Sequence, residues 1–267
     1  MNSGPLSERR SAGATGSGKT RYGLRPLIAS ALADGWQVTI YDRSGLDFLP
    51  FRQHPNARLV LLDDPAQAVS YLHNLYAEIL RRFVQLRSAN VSTWGRLPGA
   101  GPRLLSVMDE FSNLADALPG NERKELWRQA RMIAAEGRKA GVHLALALQD
   151  PTHESLDLRI RRNAAPVSFR VKDQDASRVV LGASGAEALP ERQFLAVLSG
   201  ALVRGVAFSP DDAEIGAFLG AHPIPALPEP GWLNMPVIAG TAASPVNPQP
   251  VEQIRALRSG GASLNQI

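Results

Sequence analysis

The order and character of the apolar runs predict an α/β fold, a mostly parallel sheet held between two layers of helix. Three observations carry this. Several aliphatic runs of strand length are apolar at nearly every position, as strands buried on both faces are. Segments with helical spacing alternate with these runs along the chain. A glycine-rich loop opens the first helix, and acidic residues close four of the strand-like runs.

The elements follow in order. Residues 21–35 (RYGLRPLIASALADG) place Leu24, Leu27, Ile28, Ala31 and Leu32 at helical intervals, with Gly35 where a helix stop belongs. Residues 36–42 (WQVTIYD) and 57–64 (ARLVLLDD) are short β-branched or aliphatic runs ending in acids, and read as strands. After the Asp64-Pro65 start signal, Val69, Leu72, Leu75, Tyr76, Ile79, Leu80 and Phe83 mark one face of a long amphipathic helix. Residues 103–111 (RLLSVMDEF) form a buried strand closed by two carboxylates; residues 122–141 are helical; residues 142–150 (VHLALALQD) are another buried strand. Residues 165–171 continue as a strand, and residues 193–209 read as a hairpin turning at Gly200. No apolar run precedes the glycine-rich loop, so the sheet is expected to lack its first strand and the domain to be incomplete at its N-terminus.

From residue 221 the character changes to many prolines without periodicity. Residues 1–220 are therefore expected to be the folded domain and residues 221–250 a Pro-rich linker, part of which lies against it. Residues 251–267 (VEQIRALRSGGASLNQI) resemble the opening of a helix-turn-helix, a short helix, a glycine turn and a Ser263 cap, ending before any recognition helix.

Composition excludes whole classes of chemistry. The chain of 267 residues has no cysteine, which removes disulfides, thiolate catalysis and Cys-based metal sites, and fits a reducing cytosol. His54, His73, His143, His153 and His222 are scattered without helical pairing, so they read as structural or surface residues. No run approaches the length of a membrane span. Lys and Arg number 29 against 25 Asp and Glu, a mild excess compatible with a polyanionic partner.

The chemistry concentrates in residues 13–20, GATGSGKT. Gly13, Gly18, Lys19 and Thr20 fit the Walker A spacing, and Gly16 adds freedom within the loop formed with Ala14, Thr15 and Ser17. Bare backbone N–H groups must close around phosphate oxygens, a lysine must reach the β- and γ-phosphates, and a hydroxyl must hold Mg²⁺. A second element is then required, an acid at a strand end to hold the metal and a group to polarise water. Asp109 and Glu110 close such a strand about ninety residues later.

With these residues in place a family resemblance emerges. GATGSGKT, MDEFSNL, GRKAGVHLALALQDP and RNAAPVSFRVKDQDASRVVLGASGAEAL occur in the order and at about the spacing of the motor domain of FtsK/SpoIIIE-type DNA translocases, within the FtsK/HerA group of P-loop ATPases. The resemblance covers roughly residues 11–205, and EILRRFVQL fits the helix between the two Walker motifs. It implies a RecA-like core that binds ATP and Mg²⁺. Lys19 and Thr20 become the phosphate and magnesium contacts, Asp109 the Walker B acid and second metal ligand, and Glu110 the catalytic glutamate. Gln149 matches the polar sensor of the γ-phosphate. Arg138, or as second candidate Arg178, matches the arginine contributed to a neighbouring subunit's ATP. Leu148 and Asp150 depart from the family, which usually has a hydroxyl and an arginine there.

The function so implied is ATP-driven pumping of double-stranded DNA by a homo-oligomeric, hexameric ring in the cytoplasm, with any membrane attachment through regions outside this chain. Six Lys/Arg against three Glu over residues 121–139, and six against two Asp over residues 158–178, could follow phosphates without reading sequence. Two alternatives stand beside it: a conjugative or plasmid-transfer DNA pump, and a catalytically impaired DNA-binding scaffold. A small-molecule P-loop kinase is disfavoured, because no Arg-rich lid or acceptor motif is evident.

Overall fold

The computed structural model describes residues 9–12, 18–62, 64–149, 151 and 158–227, without the side chains of residues 9–12, 158 and 159. All belong to the first of two compact units, Met1–Asn234, the second being Met235–Ile267. Most of the expected linker and all of the expected helix-turn-helix thus lie outside the described residues.

Among the described residues eight strands form one sheet in the order β3-β2-β4-β5-β1-β6-β7-β8. They are β1 (Arg9–Ala12), β2 (Gln37–Asp42), β3 (Ala57–Leu61), β4 (Leu104–Met108), β5 (Val142–Leu148), β6 (Ala165–Ser168), β7 (Gln193–Leu198) and β8 (Ala201–Val206). The first six in the order pair parallel, and the β7–β8 hairpin adds antiparallel at the β6 edge. The parallel sheet and the hairpin at Gly200 agree with the sequence pattern.

The expected gap at the first strand is corrected. Arg9–Ala12 occupies that place, with Ser11 opposite Ala147 of β5 on one side and Val167 of β6 on the other. A strand paired on both sides is held by backbone N–H and C=O groups, which any residue supplies. A search for apolar runs passes over RRSA for that reason.

The helices are α1 (Arg25–Ala33), α2 (Ala66–Ser88), α3 (Phe111–Asp116), α4 (Gly120–Glu136), α5 (Leu158–Asn163), α6 (Gln174–Leu181) and α7 (Asp212–Gly220). They cover both faces of the sheet, and the central strands sort their side chains by alternation. Leu104 and Met108 of β4, with Val142, Leu144, Leu146 and Leu148 of β5, enter the core beneath α2, α3, α4 and α6. Leu105 and Val107, with Ala145 and Ala147, enter the opposite core beneath α1 and α7. Two filled faces explain why these strands are apolar at nearly every position.

A buried ion pair ties α2 to the start of two strands. Glu78 and Arg82 are each 3% exposed. Arg82 Nε donates to Glu78 Oε1 (2.7 Å), Nη1 to the Ala140 carbonyl (3.0 Å) and Nη2 to the Pro102 carbonyl (3.1 Å). The guanidinium also lies 4.1 Å from the ring centre of Trp94. Two strand-leading loops are thereby pinned to one helix. On the far side, Asn56 donates to the Pro225 carbonyl (3.1 Å) and accepts from the Leu227 N–H (2.8 Å), so residues 225 and 227 lie against the domain.

Candidate active site

The carboxyl ends of β1, β4 and β5 lie side by side, because the three strands are parallel and β5 sits between the other two. Each end delivers one part of the site. Of the glycine-rich loop after β1, residues 13–17 (Gly13, Ala14, Thr15, Gly16 and Ser17) lie outside the described residues, and Gly18, Lys19 and Thr20 are described. Gly18 has φ +84°, and a Cβ there would meet the Tyr22 ring at 2.1 Å. Both facts require glycine. Lys19–Leu24 then forms a π-helical turn, with the Arg25 N–H reaching the Thr20 carbonyl, before α1 begins. Such widened turns concentrate at functional sites.

Thr20 and Asp109, 89 residues apart, meet at 2.7 Å, the hydroxyl donating to Oδ2. Lys19 is 6% exposed and Asp109 7% exposed. Burial raises the Asp109 carboxyl above the usual range. The Thr20 hydroxyl, the Lys19 ammonium and the Glu110 N–H pull it back, and the Asp42 carboxylate at the end of β2 pushes it up again. Thr20 and Asp109 fit a magnesium ion. Both offer hard oxygens, and adjacent ligands of an octahedron with 2.0–2.1 Å bonds lie about 3 Å apart. Among the described residues no cluster of three or more His, Asp or Glu could hold a metal, so phosphate and water would complete the sphere.

Glu110 follows in the left-handed region (φ +51°) and caps α3. For a non-glycine residue this is a strained conformation, of the kind found where structure serves a site. Its Oε1 accepts a hydrogen bond from Gln149 Nε2, and its Oε2 one from Asn113 Nδ2 at 3.3 Å. Inserting β5 between β1 and β4 is what puts Gln149 between the loop and the glutamate. The four described residues Lys19, Thr20, Asp109 and Glu110, with Gln149, thus converge from three strand ends.

No protein-family model matches the chain. It is 31% identical over 191 residues to DNA translocase FtsK of Helicobacter pylori, an alignment covering 67% of this chain. Among solved structures, the pCW3 conjugation coupling protein TcpA, monomer form with ATPγS, is similar at 25% identity with a TM-score of 0.70, over 80% of this chain and 65% of that one. The cytoplasmic domain of the type VII secretion ATPase EccC of Thermomonospora curvata is similar at 25% identity with a TM-score of 0.67, over 86% of this chain and 29% of that one. The chain belongs to the FtsK/SpoIIIE group of P-loop ATPases. It spans 22% of the length of the Helicobacter relative.

The two candidate arginines of this FtsK-like domain stand apart from the converging set. Arg138 lies in the 3₁₀ turn Gly137–Ala140 that leads into the amino end of β5. Asp109 follows the carboxyl end of the neighbouring β4, about 16 Å away along the strands. Arg138 is exposed. Arg178, on α6, is also exposed and donates to Asp175 (3.2 Å) and Gln174 (3.3 Å) of its own helix. Of the expected departures, Leu148 is buried in the core, and Asp150 lies outside the described residues.

Sequence reasoning passed over three contributors. Asn113 stands within the quoted MDEFSNL, but its reach to Glu110 needs the left-handed turn that only the folded backbone supplies. Tyr22 packs its ring on Gly18 and donates to Glu191 Oε1 at 2.7 Å. Glu191 lies 169 residues away, and no local pattern links the two. Asp42 was legible as an acid ending a strand. Its strand β2 is the neighbour of β4, which brings its charge to bear on Asp109.

Proposed function

We propose that this domain hydrolyses ATP with Mg²⁺ and uses the energy to move double-stranded DNA, as one subunit of a homo-oligomeric ring, a hexamer by family resemblance, working in the cytoplasm. The observation that carries the reading is the Thr20–Asp109 contact at 2.7 Å, a Walker A hydroxyl on a Walker B acid. Lys19 and the loop amides Gly13–Thr20 would hold the phosphates, and Thr20 and Asp109 the magnesium, which offsets phosphate charge. Glu110 would accept the proton of the water that attacks the γ-phosphorus as the bond to the departing ADP breaks. Gln149 would donate to the γ-phosphate. Arg138, facing away from its own subunit's site, would serve a neighbour's ATP; Arg178, held by Asp175, is the second choice.

The DNA surface is drawn more narrowly than composition suggested. In the first basic run, Arg123 donates to the carbonyls of Ala115 and Asp116, and Arg128 pairs with Glu125 at 2.6 Å, so these two serve the helices. In the second run, Arg162, Arg170 and Lys172 are exposed and are the better phosphate contacts. Among the described residues no helix is long and apolar enough to cross a membrane.

The test separates binding from turnover in the full chain. Lys19→Ala should abolish Mg-ATP binding by calorimetry, because backbone amides neutralise the phosphate charge only in part. Glu110→Gln should leave affinity within about threefold and lower turnover by at least about 100-fold, the scale of a lost general base. Unchanged affinity in the first variant overturns the loop assignment. Equal turnover in the second overturns the role given to Glu110, and a wild type without turnover leaves the non-catalytic scaffold as the reading. The likeness to TcpA, a conjugation coupling protein, favours one second reading, a pump for plasmid transfer. Deleting the gene and comparing plasmid-transfer frequency with chromosome segregation decides between the two.

A further inference from the structure

Both oxygens of the Glu110 carboxylate accept a side-chain amide, one from Gln149 and one from Asn113. A carboxylate that is to take a proton from water must offer an oxygen to that water. Held between two amide donors, Glu110 has neither oxygen fully available. The two holders differ in kind. Gln149 is half-buried at the end of β5, on the loop side of the glutamate, where the γ-phosphate would arrive under the function proposed above. Asn113 is exposed on α3, three residues beyond Glu110, and its 3.3 Å bond is long.

We propose that Asn113 is a positioning residue which, with Gln149, parks the Glu110 carboxylate away from water until nucleotide draws the Gln149 amide to its γ-phosphate. Arrival of the phosphate offers the Gln149 N–H a more highly charged acceptor, and charge-assisted bonds of this kind are the stronger ones. One side of the hold then opens. The remaining Asn113 bond competes with solvent and is weak enough to break, and the left-handed Glu110 backbone leaves the side chain at the start of a helix, free of a preceding turn. Hydrolysis without the proper nucleotide geometry is thereby suppressed. The inference rests on Glu110 being the hydrolytic carboxylate, and it adds Asn113, which no motif assigns.

The experiment uses the full chain. Steady-state ATP hydrolysis is measured with and without double-stranded DNA for the wild type, Asn113→Ala, Asn113→Asp, Glu110→Gln and the double variant Asn113→Ala/Glu110→Gln. Loss of one hydrogen bond should raise the DNA-free kcat of Asn113→Ala by about two- to tenfold, with KM within about twofold, so that the ratio of DNA-stimulated to basal rate falls. Asn113→Asp, which removes the donor and sets a like charge beside Glu110, should raise it at least as far. The double variant should be as inactive as Glu110→Gln. A readout independent of turnover is the side-chain amide resonance of Asn113 in nucleotide-free protein, which should move on Glu110→Gln and, in the wild type, on addition of ATPγS. Basal kcat unchanged or lowered in both Asn113 variants, or an Asn113 resonance indifferent to Glu110, overturns the hold while leaving Glu110 as the catalyst. Full turnover in Glu110→Gln overturns the functional reading, and the hold with it.

Discussion

At the scale of single residues, the site and its surroundings use burial in opposite ways. Asp109 is buried yet keeps Thr20, Lys19 and the Glu110 N–H around it, so its charge has partners. His143 is buried against Trp36, ring centres 4.7 Å apart, with its Nδ1 lacking a hydrogen-bond partner. Burial, with the nearby cations Arg103, Arg138 and Arg82, lowers its pKa from 6.5 to about 4. The consequence for stability has a definite sign. Below pH 6.5 the unfolded chain takes up a proton that native His143 refuses, so stability is lost as pH falls from about 6.5 towards about 4 and regained on the way up. The full effect of a shift from 6.5 to about 4 is about 3 kcal/mol. Urea denaturation at pH 7 and pH 5 should show this loss, and His143→Phe, which keeps the ring stack, should reduce it. Half-buried His54 is shifted the same way by burial and adds to the loss. The reading of His143 as structural was available from its isolation in the sequence. Its response to pH was not, since Arg82 and Arg103 arrive from other elements.

At the scale of elements, α2 is the piece whose sequence is most deceptive. Its apolar face was legible from spacing, with Leu72, Leu75 and Ile79 all at 0% exposure. Two of the charged residues of EILRRF, Glu78 and Arg82, are inside. Arg82→Met would leave Glu78 paired with Arg81, whose side chain is 56% exposed. We expect that variant to lose about 3 kcal/mol in chemical denaturation, the cost of stranding a buried charge. Arg82→Lys should recover less than half of it, because one ammonium cannot span Glu78, Ala140 and Pro102 together. The paired change Glu78→Leu/Arg82→Met should be less damaging than Arg82→Met alone, since it removes the stranded charge as well. The short helices α3, α5, α6 and α7 escaped the periodicity reading for a simpler reason. Six to nine residues give too few turns for an apolar stripe to repeat.

At the scale of the whole molecule, the decisive feature is that the two ends of the strands carry different groups. The carboxyl ends gather Lys19, Thr20, Asp109, Glu110 and Gln149, and the amino end of β5 presents Arg138 outward. A ring joined head to tail would set that arginine at a neighbour's nucleotide. We therefore expect ATPase activity to rise more than linearly with protein concentration. Subunits carrying Arg138→Ala mixed with subunits carrying Lys19→Ala should recover activity, because mixed interfaces pair an intact loop with an intact arginine, and such an arginine contributes about 10³-fold in rate. A mixture that stays inactive while both variants assemble on DNA, with the same result for Arg178→Ala, excludes the shared site. Much of this was set by sequence alone. The parallel sheet follows from strands apolar at nearly every position, and the loop and its acidic partner follow from fixed spacing within motifs. Both signals are local or periodic, and the physics behind them acts over a few residues. The tertiary structure decided what depends on distant segments meeting. It filled the central strand position with RRSA through backbone pairing alone, brought Thr20 onto Asp109, and closed Gln149 and Asn113 on Glu110. Hydrogen bonds between residues far apart in the chain leave no periodic trace in it, because the fold supplies the proximity and the side chains need only be able to donate or accept.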